Sequence, residues 1–161
     1  WLLMLPVLTI FLISPPALGA DAVLRAGNRT APSIAQQSAA AFPPLPRGVV
    51  VPMSMSDFIT RGVWDSANSL DGRTVALTGF VVHHNGSDYV ARLVITCCAA
   101  DATPMRVLLT GRLATPLPND QWVQVSGRLR SGSATTANGY TPTLAVVSLT
   151  TVTAPEDPYE H

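Results

Sequence analysis

Lysine is absent from this 161-residue chain, cysteine occurs twice, and only 12% of the residues are charged. All ten basic residues are arginine, balanced by ten acidic ones. From Ser54 onward seven Arg face nine Asp and Glu. Non-specific nucleic-acid binding needs basic side chains that neutralise phosphates, so no nucleic-acid partner is expected. Two cysteines cannot build the disulfide framework of a small secreted domain. The core must come from apolar burial, and roughly 100 residues suffice for that without covalent staples. Aromatics make up 6% of the chain. Trp64, Tyr89, Trp122 and Tyr140 are too scattered for a base-stacking ladder, and Trp122, ahead of alternating Val123 and Val125, reads as packing. No Ser-His-Asp order, paired acid site or phosphate-cradling glycine loop is persuasive. An enzyme is not expected.

Charge is missing altogether from "WLLMLPVLTIFLISPPALGA", residues 1–20. About 20 apolar residues rising 1.5 Å each match a hydrocarbon core roughly 30 Å thick. No polar face recurs at helical spacing, which argues against a buried core helix. "ALGA" resembles a cleavage site, but the basic n-region of a signal peptide and an initiator Met are lacking. Residues 1–20 are therefore expected to be a transmembrane helix, the last of a longer membrane region. Arg25 and Arg29 would draw that flank toward the cytoplasm, whereas a signal anchor would export the domain. The domain is expected on the outside. Residues 21–53 are rich in Ala, Ser, Gln and Pro, and Pro43, Pro44 and Pro46 stiffen their end. They read as a linker.

Residues 54–161 read as a soluble all-β domain preceded by one short helix. Ser54 or Ser56 can cap that helix and Asp57 suits its positive end. Phe58, Ile59, Val63, Trp64 and Ala67 recur at helical spacing until "LDGR" supplies a turn. Five strand-like runs come next: "RTVALTGFVVH", "DYVARLVITCC", "MRVLLTG", "QWVQVSGRLR" and "TPTLAVVSLTTV". Asn85-Gly86 suits a hairpin turn between the first two. Gly79 and Gly127, inside strand patterns, suggest the bulges or bends that curl a sheet. A meander-like series of this kind suits a small five-stranded barrel of the oligonucleotide/oligosaccharide-binding (OB) type. The usual helix between the third and fourth strands is replaced by the short, Pro-rich "RLATPLPNDQ".

His83, His84, Cys97, Cys98 and Asp101 are the residues that suggest a transition-metal site. If "HNGSD" turns the hairpin, His84 faces about Tyr89, and Cys97 lies eight residues further on. At about 3.3 Å per residue that is roughly 26 Å, so one hairpin cannot bring the histidines and cysteines to one ion. The histidines then read as exposed turn flanks. Alternation puts Cys97 with Ala91, Leu93 and Ile95 on a core face, and Cys98 with Arg92 and Thr96 nearer solvent. A disulfide between neighbours is awkward, since adjacent Cα atoms lie about 3.8 Å apart and bridged ones about 4.4–6.8 Å. Structural, redox and metal-binding uses stay open for the pair, with Cys98 and Asp101 the candidate zinc or copper ligands.

With these segments placed, the chain resembles a bacterial family, the YcgQ-like subunits of two-component permeases. The stretches that carry it are "PPALGA" after an apolar helix, "LDGRTVALTGFVV", "ARLVITCCAADATPM", "QWVQVSGRL" and the closing "PEDPYEH". They cover most of the chain, and "ITCCAAD" is the most specific. The family's usual ending, Pro-Tyr-Glu-Tyr, has His161 in its last place here. The resemblance implies N-terminal membrane segments, a soluble C-terminal domain and a polytopic permease partner. It puts Cys97, Cys98 and Asp101 on the family signature by position alone. The expectation is a membrane-anchored, non-catalytic accessory subunit at the cell membrane. The alternative is an extracytoplasmic metal-binding module that uses the Cys-Cys motif.

Overall fold

The computed structural model describes residues 4–5, 8–9, 17–27, 42–97, 101–111 and 117–161. Their elements run α1 (Ala20–Ala26), β1 (Val50–Pro52), α2 (Met55–Trp64), β2 (Thr74–His84), β3 (Ser87–Val94), β4 (Thr103–Thr110), β5 (Trp122–Leu129), a 3-10 turn (Thr136–Asn138), β6 (Thr143–Thr151) and β7 (Tyr159–Glu160). The five expected strands and the expected preceding helix are all present. The two-residue and three-residue strands β7 and β1, and the helix α1, have no periodicity that foreshadows them.

Helix α2 starts where the side chain of Ser54 accepts the Asp57 N–H at 3.0 Å. It ends a turn earlier than the apolar spacing suggests. The Asp65 carboxylate accepts the N–H groups of Ala67 and Ser69, both at 2.9 Å. Those bonds offer the backbone an alternative to the next helical turn, and the Ser69 side chain first, then these backbone bonds, draw the Asp65 pKa below the ordinary carboxylate range. Ala67 consequently lies beyond the helix, and both it and Trp64, the last helical residue, are exposed.

The strands form one seven-stranded mixed sheet in which five close a ring. Strand β2 is shared, Thr74–Phe80 pairing antiparallel with β5 and Phe80–His84 with β3. From β3 the ring passes antiparallel to β4, and from β5 antiparallel to β6. A parallel pairing of β4 with β6, Leu108 opposite Thr143, closes it. The last ring strand is thus inserted between the third and fourth, and the chain does not take the expected meander-like order. Short β1 extends β2 and short β7 extends β3, each in parallel.

Two glycines allow the curvature. At Gly79, where β2 changes partner, an added Cβ would overlap the Ala91 carbonyl. At Gly127, the site of a register shift between β5 and β6, it would lie 2.5 Å from the Ala145 oxygen. Gly127→Ala is expected to cost about 1–3 kcal/mol through this overlap. A urea unfolding midpoint equal to that of the wild type would refute the assignment.

Inside the ring, Val75, Leu77, Val81, Val90, Val107, Val123, Val125 and Leu144 meet Met55, Phe58 and Ile59 of α2. A second cluster lies on the outside. There Ala20 and Val23 of α1 pack with Phe80, Val82, Ala91 and Leu93, flanked by Trp122 and Tyr159. Part of the stretch expected to be a linker is therefore seated on the outside of the ring. Among the described residues no helix is long and apolar enough to cross a membrane. Most of the expected transmembrane segment, residues 1–3, 6–7 and 10–16, lies outside those described.

Candidate functional site

The signature loop begins where β3 stops at Val94, so the alternation expected to carry Cys97 into the core has already ended. Thr96 and Cys97 are exposed. This corrects the core assignment of Cys97: Ala91 and Leu93 are buried, but the chain bends away before reaching it. The bend is held by Asp101, whose Oδ2 accepts the N–H of Cys97 at 2.9 Å and that of Thr96 at 3.3 Å. The Asp101 carbonyl in turn accepts the Thr103 hydroxyl at 3.2 Å at the start of β4. Asp101 therefore acts as a loop closure, with one carboxylate oxygen committed to backbone. Cys98 lies outside the described residues. Among those described, no three His, Cys, Asp or Glu side chains group as metal ligands would.

The loop's neighbour is the chain's closing segment. Arg92 donates from Nη2 to the carbonyls of Asp157 at 3.1 Å and Tyr159 at 3.3 Å, and the Ile95 N–H donates to Glu160 O at 2.9 Å. Two stretches singled out in the sequence, "ARLVITCC" and "PEDPYEH", thus meet along β3 and β7. The Arg92 guanidinium also lies 5.5 Å from the Trp122 ring centre, and Phe80 meets that ring edge-on at 5.6 Å. Trp122 is packing, as the sequence suggests.

A buried carboxylate that no sequence pattern points to belongs to Glu160. The residue is 9% exposed, and its carboxylate accepts from Met55 N at 2.8 Å, Ser56 N at 3.0 Å and Ser56 Oγ at 2.8 Å. It caps α2 from 105 residues away. No local signal could have announced such a contact.

The histidines part company. Asn85 and Gly86, at φ of 49° and 72°, make a two-residue turn, so His84 faces Ser87 and His83 faces Asp88. This register replaces the expected pairing of His84 with Tyr89 and moves the histidines further from Cys97. His84 is exposed, as expected for a turn flank. His83 is only partly so: its Nδ1 lies 2.6 Å from Asp88 Oδ1, and its Nε2 contacts the Leu117 carbonyl.

A cleft of about 670 Å³ opens beside the second cluster, between α1 and residues 154–158, with Phe80 and Trp122 in its wall. Among its described lining residues the charged ones are Asp21, Arg25, Asp120 and Glu156.

No curated protein matches the chain. Residues 59–161, from within α2 through β7, match the DUF1980 C-terminal domain, and the chain belongs to that family.

Proposed function

We propose that this protein is a non-catalytic, membrane-anchored accessory subunit whose OB-like barrel docks onto a polytopic permease. The reading rests on the resemblance to YcgQ-like subunits. The observation that supports it best is the seating of α1. That helix comes directly after the apolar stretch of residues 1–16 and buries Ala20 and Val23 on the barrel. Leu18 N donates to Tyr159 Oη at 3.1 Å and Ala20 N to Asp120 Oδ1 at 2.6 Å. A domain held this way stands at the end of its apolar segment, where a membrane partner would reach it.

The ring connectivity supports the OB-like description, because a fifth strand placed between third and fourth is the Greek-key closure of that barrel. Ligand-binding barrels of this type use the outer face of their second and third strands. Here those strands are β3 and β4, and α1 lies over them together with β2. The occupied face, with the slightly acidic charge balance, favours docking of the whole domain over capture of a nucleic acid. An extracytoplasmic position for the barrel belongs to the same proposal.

Extraction in mild detergent tests it. The permease should be recovered with the tagged chain, and Val23→Asp, which places a charge in the α1 seat, should reduce that recovery. Recovery of the chain alone in every preparation would overturn the reading.

A further inference from the structure

We propose that His83 is a pH-operated latch that pins residues 117–121 to the β2–β3 hairpin and, through them, secures the docking of α1. The inference goes beyond the accessory-subunit reading and does not depend on it.

Donors and acceptors around the ring decide its charge. Asp88 Oδ1 faces His83 Nδ1 at 2.6 Å, and the Leu117 carbonyl faces Nε2. A carboxylate and a carbonyl only accept hydrogen bonds, whereas a neutral imidazole carries one N–H. The neutral ring would satisfy one partner and turn a bare lone pair toward the other. The imidazolium donates to both. The geometry is therefore complete in the protonated state alone.

The segment it grips is built into the sheet and carries the anchor of α1. Asn119 Oδ1 accepts the His83 N–H at 2.8 Å. Asp120 N donates to Val81 O, and Val81 N to Gln121 O, both at 3.0 Å. Asp120 then turns its carboxylate to Ala20 N, at the first residue of α1. A change at Leu117 thus lies three residues from the group that holds α1 in place.

The charges around the ring are few among the described residues. From β3 comes Asp88. Residues 117–121 present the Leu117 carbonyl and the neutral Asn119 amide, with Asp120 directed to α1. On β2 itself, His84 pairs its Nε2 with Asn85 Nδ2 at 3.1 Å. The Leu117 carbonyl first, and then the Asp88 carboxylate, raise the His83 pKa above the ordinary 6.5 against a smaller opposing effect of burial. A pKa raised by folding gives stability that is fully present below about 6.5 and is lost as pH climbs through the folded value. The latch is closed in acid and released toward alkaline pH.

NMR of the full chain in detergent micelles, titrated from about pH 5.5 to 9 across the histidine range, tests the latch. His83→Gln identifies the His83 ring signals. We expect both ring nitrogens to be protonated at the acid end of the titration, with a midpoint above 6.5. The amides of Asn119, Asp120, Gln121 and Ala20 should shift with the same midpoint, and Asp88→Asn should move it downward. A midpoint at or below 6.5, or amides of residues 119–121 that stay fixed while His83 titrates, would overturn the proposal.

Discussion

Glu160→Ala is expected to destabilise the domain by about 2–4 kcal/mol, roughly the loss of two to three hydrogen bonds to a charged acceptor in a buried setting. The first N–H groups of a helix have no partner within it, and those of Met55 and Ser56 at the start of α2 both donate to the Glu160 carboxylate. The same carboxylate sits at the positive end of the helix dipole, which adds to the effect. Truncation leaves these donors beneath a tail that shields them from water, with only the exposed Ser54 cap intact. Glu160→Gln should fall between the two, since its amide retains one acceptor oxygen but sets an NH₂ group against a donor. Urea denaturation of the full chain reads both variants. A wild-type midpoint for Glu160→Ala would show that the contact contributes nothing.

The second large effect is expected at Phe58. Its side chain is fully buried where α2 meets the inner faces of the ring strands. Phe58→Ala should cost about 3–5 kcal/mol, the sum of lost transfer energy and the cavity left behind. Phe58→Leu, which keeps most of the volume, should lose under about 1.5 kcal/mol. The comparison separates volume from position: equal losses for both variants would argue against a tightly packed contact between helix and ring.

Much of this architecture is legible in the sequence because it is periodic or punctuated. The five ring strands stand out as apolar runs between turn signals, Ser54 announces the helix, and Asn85-Gly86 announces the turn. Gly79 and Gly127 mark the places where backbone approaches backbone. The features without a sequence signal are short or distant. Strands β1 and β7 have three and two residues, too few for any pattern to emerge. The pairing of Glu160 with α2 spans 105 residues and has no local signature. Cys97 departs from its expected place because alternation holds only as far as β3, three residues short of it, and Asp101 organises the bend beyond. The match of His83 with Asp88 is within reach of the sequence: a two-residue turn at 85–86 puts positions equidistant from it face to face. Reading "HNGSD" as a longer loop hides that pair.

The Glu160 clasp also bears on the order in which the domain can assemble. A contact spanning 105 residues joins the start of α2 to Glu160, and the parallel β4–β6 pair, Leu108 opposite Thr143, is likewise distant in sequence. Such non-local closure slows folding, because loop entropy is lost before the contacts that offset it exist. While it is being synthesised, the nascent chain presents α2 with its first N–H groups uncapped and an open, incomplete sheet. The ring can close only after β6 has emerged, and the Met55 and Ser56 N–H groups find their acceptor only once Glu160 has emerged too. Until then the apolar inner faces of β2 to β5 are open to any chaperone or neighbouring chain that reaches them first.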